Sequence, residues 1–151
     1  MATESDLTLI SGPWDHDRVS EHLANRVLPI RIGSTGRSFP LVQSVWYSFD
    51  GSRLWCCTQE DSLLAKRLRR NPVCGFEVAA DDPPYRGVRG HGVAQFHPEM
   101  ARGILPGLIE KYLGDGDSSL ARWLRSRVDD EVAIAIGELN VASWDYTERM
   151  T

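Results

Sequence analysis

The 151-residue sequence has no stretch near the ~20 consecutive apolar residues that span a bilayer, so a helical membrane protein is excluded and no membrane partner is expected. It is short of basic charge: 17 Lys and Arg stand against 21 Asp and Glu, a net −4. Nucleic-acid binders usually carry a basic footprint, so generic nucleic-acid binding is excluded too. Three cysteines make no disulfide framework. Cys56 and Cys57 are adjacent in a predicted strand, where their side chains take opposite faces and cannot share a metal. Cys74 lies in an apolar strand and reads as a small buried hydrophobe. His16, His22, His91 and His97 show no metal-ligand spacing with these cysteines, and no metal site is expected. The start, "MATESDLTLISGPWDHD", lacks the basic-then-apolar order of a secretory signal, so the cytoplasm is the expected location. No repeat, low-complexity tract or linker interrupts the chain, and one domain over 1–151 is expected.

No Ser-His-Asp, Cys-His or paired-carboxylate pattern emerges, which leaves no basis for a hydrolase. No catalytic side chain is assigned. That fits chemistry carried by a bound cofactor, and it equally fits a non-catalytic binder.

What is present is a globular composition, 42% hydrophobic and 25% charged, in a chain long enough for a real core. Asp15 caps a predicted helix to about Asn25, with Val19 and Leu23 on its inner face. "VLPIRIG", Val27 to Gly33, reads as a strand, and "STGRS" as a turn with Gly36 free to take positive φ. "FPLVQSVWYSF" reads as a second strand, joined through the hairpin signal Asp50-Gly51 to a third, "RLWCCT". Asp61 or Ser62 caps the next helix, which Pro72 closes. "VCGFEVA" is a fourth strand and "VRGHGVAQF" a fifth, in which Gly90 and Gly92 mark a bulge or the close approach of a backbone or ligand. From Pro98 to Val128 the period is helical. Pro106 is expected to divide this region into two or three short helices, the last capped by Asp117 or Ser118 with Leu120, Trp123, Leu124 and Val128 as its apolar stripe. "EVAIAIGELNVASWDY" reads as a buried central strand. Six or seven strands, mostly hairpin-linked, predict a mainly β fold: a small antiparallel barrel with helical decoration.

The stretch "TQEDSLLAKRLRRNP" carries the functional question. Thr58 and Ser62 place hydroxyls at a helix start, where free N–H groups and the helix dipole suit a phosphate. Lys66, Arg67, Arg69 and Arg70 follow, as phosphate partners, as a nucleic-acid contact or as a solvated face. Trp46, Tyr47 and Trp55 on the paired strands are packing residues or a cofactor wall. Arg86 and Arg89 point to opposite strand faces, and His91 shares the face of Arg89.

Taken in order, the leading helix, "FPLVQSVWYSFDG", "LWCCT", the capped helix ending "LRRNP", "YRGVRGHGVAQF" and the terminal "SWDYTERM" resemble the pyridoxamine 5′-phosphate oxidase-like family, the FMN-binding split β-barrels. The resemblance covers nearly the whole chain. It implies a split antiparallel β-barrel, a homodimer, and two FMN sites at the subunit interface. It places the backbone of Val42, Gln43, Ser44 and Val45 along the isoalloxazine edge, and Cys57, Thr58 and Ser62 at the ribityl phosphate. Arg89 would line the site from the fifth strand, and Trp144 would stand near the partner's site. The implied activity is FMN-dependent oxidation or reduction, with hydride passing between flavin N5 and a small organic substrate. Relatives on this fold use a deazaflavin coenzyme instead, and a barrel that lost flavin would be a non-catalytic binder. Oxidation of pyridoxamine phosphate itself needs a basic substrate-phosphate pocket, which is not implied here. The sequence departs from the family at one point: Leu63 and Leu64 stand where it usually has Arg-Lys. Lys66 and Arg67 follow about 5 Å further along the helix axis, and the expectation is that they reach back to the phosphate.

Overall fold

The computed structural model of the chain describes residues 7–114 and 117–151. Its elements run β1 (Leu7–Ser11), α1 (His16–Asn25), β2 (Ile30–Ser34), β3 (Leu41–Val45), β4 (Ser48–Phe49), β5 (Leu54–Gln59), α2 (Leu63–Arg70), β6 (Val73–Ala79) and β7 (Arg86–His97). A 3-10 turn then leads into α3 (Ala101–Leu113), followed by α4 (Ser119–Ser126) and the long β8 (Glu131–Asp145). The described strands form one eight-stranded sheet in the order β3-β2-β6-β7-β8-β5-β4, with β1 added parallel to β8.

That order dictates the shape. β3 and β4 lie at opposite ends of the hydrogen-bonded path, yet only Trp46 and Tyr47 separate them in the chain. A sheet whose two ends are tied so closely must curl until they meet. β3 packs against β5 at that meeting, but no ladder joins them among the described residues. The result is an antiparallel barrel split along one side.

The expected second strand is therefore two strands with a corner at Trp46-Tyr47. The corner breaks the run because Tyr47 turns inward: it is fully buried, and its hydroxyl donates to the Leu23 carbonyl at 2.7 Å. The neighbouring backbone is clamped from α3, with Lys111 Nζ donating to the Tyr47 carbonyl at 2.8 Å and the Tyr112 hydroxyl accepting from the Tyr47 N–H at 3.3 Å. Asp50 closes the β4–β5 hairpin as anticipated. One oxygen accepts from the Ser52 and Arg53 amides and the other from the Trp55 indole, while Gly51 takes a φ of +100°.

Other expectations need correction. The strand predicted from Val27 begins only at Ile30. β1 adds an eighth strand to the six or seven expected. Pro106 does not divide the helical region: it sits inside the continuous α3. Helix packing against β5 and β8 offsets the one lost hydrogen bond. On α4, capped by Ser118, the expected stripe is only half realised, because Leu120 and Trp123 are exposed.

The barrel interior is filled by Val19 and Leu23 of α1, Ile30, Ile32, Leu54, Cys56, Phe76, Val78, Ile134, Ile136, Leu139 and Val141, together with Leu64 and Leu68 of α2. Burying each such side chain stabilises the fold by about 1.5–3 kcal/mol. His22 is a buried polar residue against this core: its Nε2 lies 2.9 Å from the Val78 carbonyl and its ring packs on Trp14. Burial holds its imidazole below the ordinary 6.5, against the opposing pull of the Val78 hydrogen bond. Above pH 6.5 both folded and unfolded states are neutral. Below it the unfolded chain binds a proton that the folded chain refuses, so stability should fall as the pH drops through this range, by at most about 1.4 kcal/mol one unit below 6.5. An NMR titration of the imidazole should place its midpoint under 6.5; a midpoint at or above that value contradicts the burial argument.

Two central glycines explain how β8 serves both halves of the barrel. The register between β7 and β8 shifts between His91 and Val93, and Glu138 opposite takes a φ of +51°. β8 bends there: residues up to Ile136 pair with β5, and those from Leu139 pair with β1. A Cβ on Gly90 would lie 2.1 Å from the Asn140 carbonyl oxygen, and one on Gly92 2.6 Å from that of Gly137. The structure uses both a bulge and close backbone approach here: the register shift falls at Gly92, and both glycines lie against the β8 backbone.

Candidate functional site

The split exposes the outer edge of β3. Among the described residues this strand pairs only with β2, so its far edge carries backbone N–H and C=O groups without ladder partners there, and it faces β5. Val42 and Ser44 point to solvent, with Val42 69% exposed, while Gln43 and Val45 are half-buried on the other face. The four residues expected along a flat cofactor ring thus lie together on an accessible, hydrogen-bonding edge. Each end of the edge opens into a cavity of different character.

At the β3 start lies a groove of about 340 Å³ between the β2–β3 loop and α2, lined by Arg37, Ser38, Phe39, Leu63, Lys66, Arg67 and Arg70. Arg67 builds its wall. Its guanidinium donates to the Phe39 carbonyl at 2.8 Å and covers the Phe39 ring at 5.2 Å. Asn71 pins the same loop by donating to Thr35 Oγ1 at 2.8 Å. Gly36 is needed here for space rather than for positive φ, which it does not adopt: a Cβ would meet the Arg67 guanidinium at 2.6 Å. Among the described residues, no carboxylate forms an ion pair with Arg37, Lys66, Arg67 or Arg70. Arg69, on the other side of α2, is by contrast tied to Glu60 at 3.8 Å and to the Glu60 carbonyl at 2.8 Å.

The start of α2 is differently furnished. Ser62 caps the helix, its hydroxyl accepting from the Ala65 amide at 3.1 Å, and buried Thr58 donates to the same oxygen at 2.9 Å. The adjoining cavity is lined by Gln59, Glu60, Asp61, Arg127 and Asp130, three carboxylates to one cation. Lys66 and Arg67 line the groove, not this cavity. Leu63 is 52% exposed in the groove, whereas Leu64 is fully buried in the barrel core. A lysine at position 64 would be buried among apolar side chains, at heavy desolvation cost. Lys66 and Arg67 thus stand on the groove face of α2, while position 64 faces the core.

At the β3 end lies an apolar cavity of about 300 Å³, lined by Ser44, Val45, Trp46, Cys57, Leu105, Leu108, Leu120, Leu124 and Glu131. Trp46 is held by stacking on Tyr112, with ring centroids 5.1 Å apart and planes 4° from parallel. Cys57 packs beneath α3, on the opposite face of β5 from the core residue Cys56. Burial pushes the Cys57 thiol up to about 12, so it is protonated and a poor nucleophile at neutral pH. Glu131 is the one ionisable oxygen acid here. Gln59 Nε2 donates to its Oε1 at 2.6 Å, while its Oε2 is buried and accepts no hydrogen bond. Burial holds its carboxyl above the ordinary carboxylate range, opposed by the Gln59 hydrogen bond and by Arg127.

No family model and no curated protein matches the sequence. Solved structures do. A conserved hypothetical protein of Mycobacterium tuberculosis superposes with a TM-score of 0.75 at 21% identity, over 91% of this chain and 88% of that one. The chain is a split β-barrel. An F420 reductase gives a TM-score of 0.66 at 21% identity over 78% and 90% of the two chains. A FAD-binding protein of Mesorhizobium loti gives 0.64 at 14% over 86% and 93%. Other structural neighbours include pyridoxamine 5′-phosphate oxidase-like and haem-binding proteins. No helix among the described residues is long and apolar enough to cross a membrane.

Two expected site residues lie elsewhere in the split barrel. Arg89 and Trp144 meet each other, the guanidinium 5.3 Å from the indole centroid. Thr58, however, pairs with Val132, and Trp144 stands 12 residues further along β8. That is roughly 40 Å of strand at about 3.3 Å per residue. Across the sheet the path is shorter: Arg89 pairs with Glu77, Glu77 with Arg31 and Arg31 with Ser44, so Arg89 lies three strands, roughly 15 Å, from Ser44. Arg86 turns to the Pro84 carbonyl at 3.0 Å, so of the two arginines Arg89 is the exposed one.

Three site features went unread in the sequence. Arg37 was absorbed into a turn, although "GRS" placed it one residue past a glycine. Glu131 looked like the first residue of a strand. Leu105 lay unmarked in the helical region beside Pro106, and Leu124 was one of the expected stripe residues of the last helix. Their convergence depends on α3 and α4 folding back over the β5–β8 face, which no local pattern encodes.

Proposed function

We propose that this split barrel binds a flavin-type cofactor along the open edge of β3 and catalyses hydride transfer between it and a small organic substrate. The observation that carries this reading is the free β3 edge, bracketed by a cationic groove at one end and an apolar cavity at the other. The backbone of Val42 to Val45 would hydrogen-bond the ring edge. Thr58 and Ser62 stand at the neighbouring helix start, and Lys66 and Arg67 would hold the anionic end. When bound, such a ring supplies the hydride chemistry for which the chain has no side chains of its own. The chain's contribution is position, exclusion of water by the α3–α4 wall, and charge. A homodimer is part of this reading, in which Arg89 and Trp144, three strands across the sheet from Ser44, would serve the site of a second copy. An F420 reductase and a FAD-binding protein share the fold, which supports a cofactor of this class.

Between FMN and a deazaflavin coenzyme, one feature favours the second. FMN ends in a single phosphate, for which the helix start would serve, but three carboxylates surround the cavity beside it. The groove, with four cations and two exposed apolar side chains, suits a longer polyanionic tail. Thermal unfolding with excess FMN or deazaflavin coenzyme tests both. A ligand at 100 times its dissociation constant should add about 2.7 kcal/mol of stability, with the deazaflavin giving the larger rise in Tm. If neither ligand raises Tm, the cofactor reading fails and a non-catalytic barrel remains.

A further inference from the structure

We infer that α4 is a lid on the apolar cavity: it lifts from α3 about the turn at its C-terminal end while the barrel stays folded, and so controls how far the cavity is open. Its bearing on substrate entry rests on the reading above. The motion itself follows from how α4 is held.

Helix α4 is eight residues long, too short to be stable by itself. Its hold must come from packing, and there is little of it. Six of the eight residues are exposed, Leu124 is half-buried, and only Ala121 is fully buried. Ala121 packs with Leu105 and Ile109 of α3, and it brings a single methyl group to that contact. The support is undercut on both sides. On one flank lies the cavity of about 300 Å³, where Leu120 and Leu124 of α4 face Leu105 and Leu108 of α3. On the other lies a cavity of about 190 Å³, lined by Arg125 and Val128 and by Arg102, Leu105 and Pro106 of α3. Side chains beside such spaces forgo the dispersion contacts that close packing supplies. An element held along so narrow a ridge opens well before the central sheet does.

The anchorage is also one-sided. The Asp130 carbonyl accepts from the Glu60 amide at 2.8 Å, and the Asp130 amide donates to the Arg127 carbonyl at 3.0 Å. Asp129 pairs with Arg102 of α3. These bonds tie the turn Val128–Asp130 to the β5–α2 connection and to α3, which makes that turn the hinge. Leu120, at the other end of α4, is 46% exposed although it lines the cavity, so a small displacement there widens the mouth.

Cys57 reports on the lid. It lines the cavity and is half-buried, whereas Cys56 and Cys74 are buried in the barrel core. Burial keeps its thiol protonated while α4 is seated, and opening would admit water and let it ionise. Off its ridge, so short a helix loses its own hydrogen bonds, and its amides then exchange with solvent. In NMR hydrogen exchange of the ligand-free protein, the amides of Arg122 to Ser126 should be at least about a hundredfold less protected than those of Ile134 and Ile136 in β8. Their exchange should depend weakly on urea, because little surface is uncovered. N-ethylmaleimide, followed by mass spectrometry, should label Cys57 while Cys56 and Cys74 stay unlabelled. Ala121→Gly should speed both α4 exchange and Cys57 labelling by at least about fivefold and leave β8 exchange unchanged; Leu124→Ala, at the other anchor, should act in the same direction. Amides of α4 as protected as those of β8, Cys57 reacting no sooner than the two core cysteines, or labelling unmoved by both variants in a folded protein would each overturn the inference. All of this is read without cofactor, so the two readings fail separately. A lid that lifts in a protein binding neither FMN nor deazaflavin coenzyme removes the cofactor reading alone. Cofactor binding by a protein whose α4 does not lift removes this inference alone.

Discussion

Lys66→Glu combined with Arg70→Glu should weaken cofactor binding by about a hundredfold or more while changing Tm by no more than about 2 °C. Both side chains are exposed, neither forms an ion pair among the described residues, and both line the groove at the β3 start. Exposed substitutions away from buried networks usually cost within about 0.5 kcal/mol, so the fold should not register the change. Binding should. Each charge-assisted bond to an anion contributes about 1.5–3 kcal/mol, and two lost together amount to about 3 kcal/mol before the added repulsion. The loss should shrink at high salt, because exposed charges are screened over about 10 Å at 0.1 M ionic strength. Arg69→Glu is the matched control: it sits on the same helix, but its guanidinium is engaged with Glu60 away from the groove. Thr58→Ala probes the competing location at the helix start. If isothermal titration shows the groove variant binding like the unaltered chain and Thr58→Ala binding poorly, the anionic end belongs at Ser62 and not among the arginines.

Gly90→Ala should cost about 3 kcal/mol or more, the upper end of overpacking penalties, and lower Tm by roughly 10 °C for a chain of this size. The added methyl would sit 2.1 Å from the Asn140 carbonyl oxygen and about as close to the β8 backbone at Val141 as 3.0 Å. A side chain can rotate away; a backbone carbonyl in a central strand cannot move without breaking the ladder on both sides. The strand bearing the strain is also the one that pairs β5 and β1, so the damage should spread to the β5 segment that carries Cys57 and Thr58. Gly103→Ala on α3, where a Cβ meets nothing within 4 Å, should be neutral or stabilising by contrast. Urea unfolding of the two variants compares them directly, and equal midpoints would contradict the close-approach account.

These two predictions also mark how far the sequence could be read. Asp15, Ser62 and Ser118 as caps, the Asp50-Gly51 hairpin, the apolar β8 and the opposite faces of Cys56 and Cys57 were legible, because each depends on residues within one turn or one strand. The barrel and its β3 edge were legible through the order of motifs. Pro106 misled because propensity is local, whereas α3 is held by packing along its whole length. The corner at Trp46-Tyr47 was hidden for the same reason: an aromatic, β-branched run reads as unbroken strand until Tyr47 is seen to bond Leu23 from inside. The basic run was visible, but its direction was not. That Arg67 turns toward Phe39 instead of Ser62 follows from Leu64 and Leu68 anchoring the other face of α2 in the core.

The missing ladder between β3 and β5 has a dynamic consequence. Everywhere else in the sheet, separating two strands means breaking a row of hydrogen bonds. Along this seam it means parting side chains alone, so the barrel can breathe there with its secondary structure intact. The Trp46-Tyr47 corner, clamped by Leu23, Lys111 and Tyr112, should stay fixed and act as the pivot. Because the pivot lies beside the apolar cavity, opening should be widest at the far end, where the arginines of the groove stand. A ligand whose anionic end meets the groove would then enter at the mouth, with its apolar end directed toward the hinge.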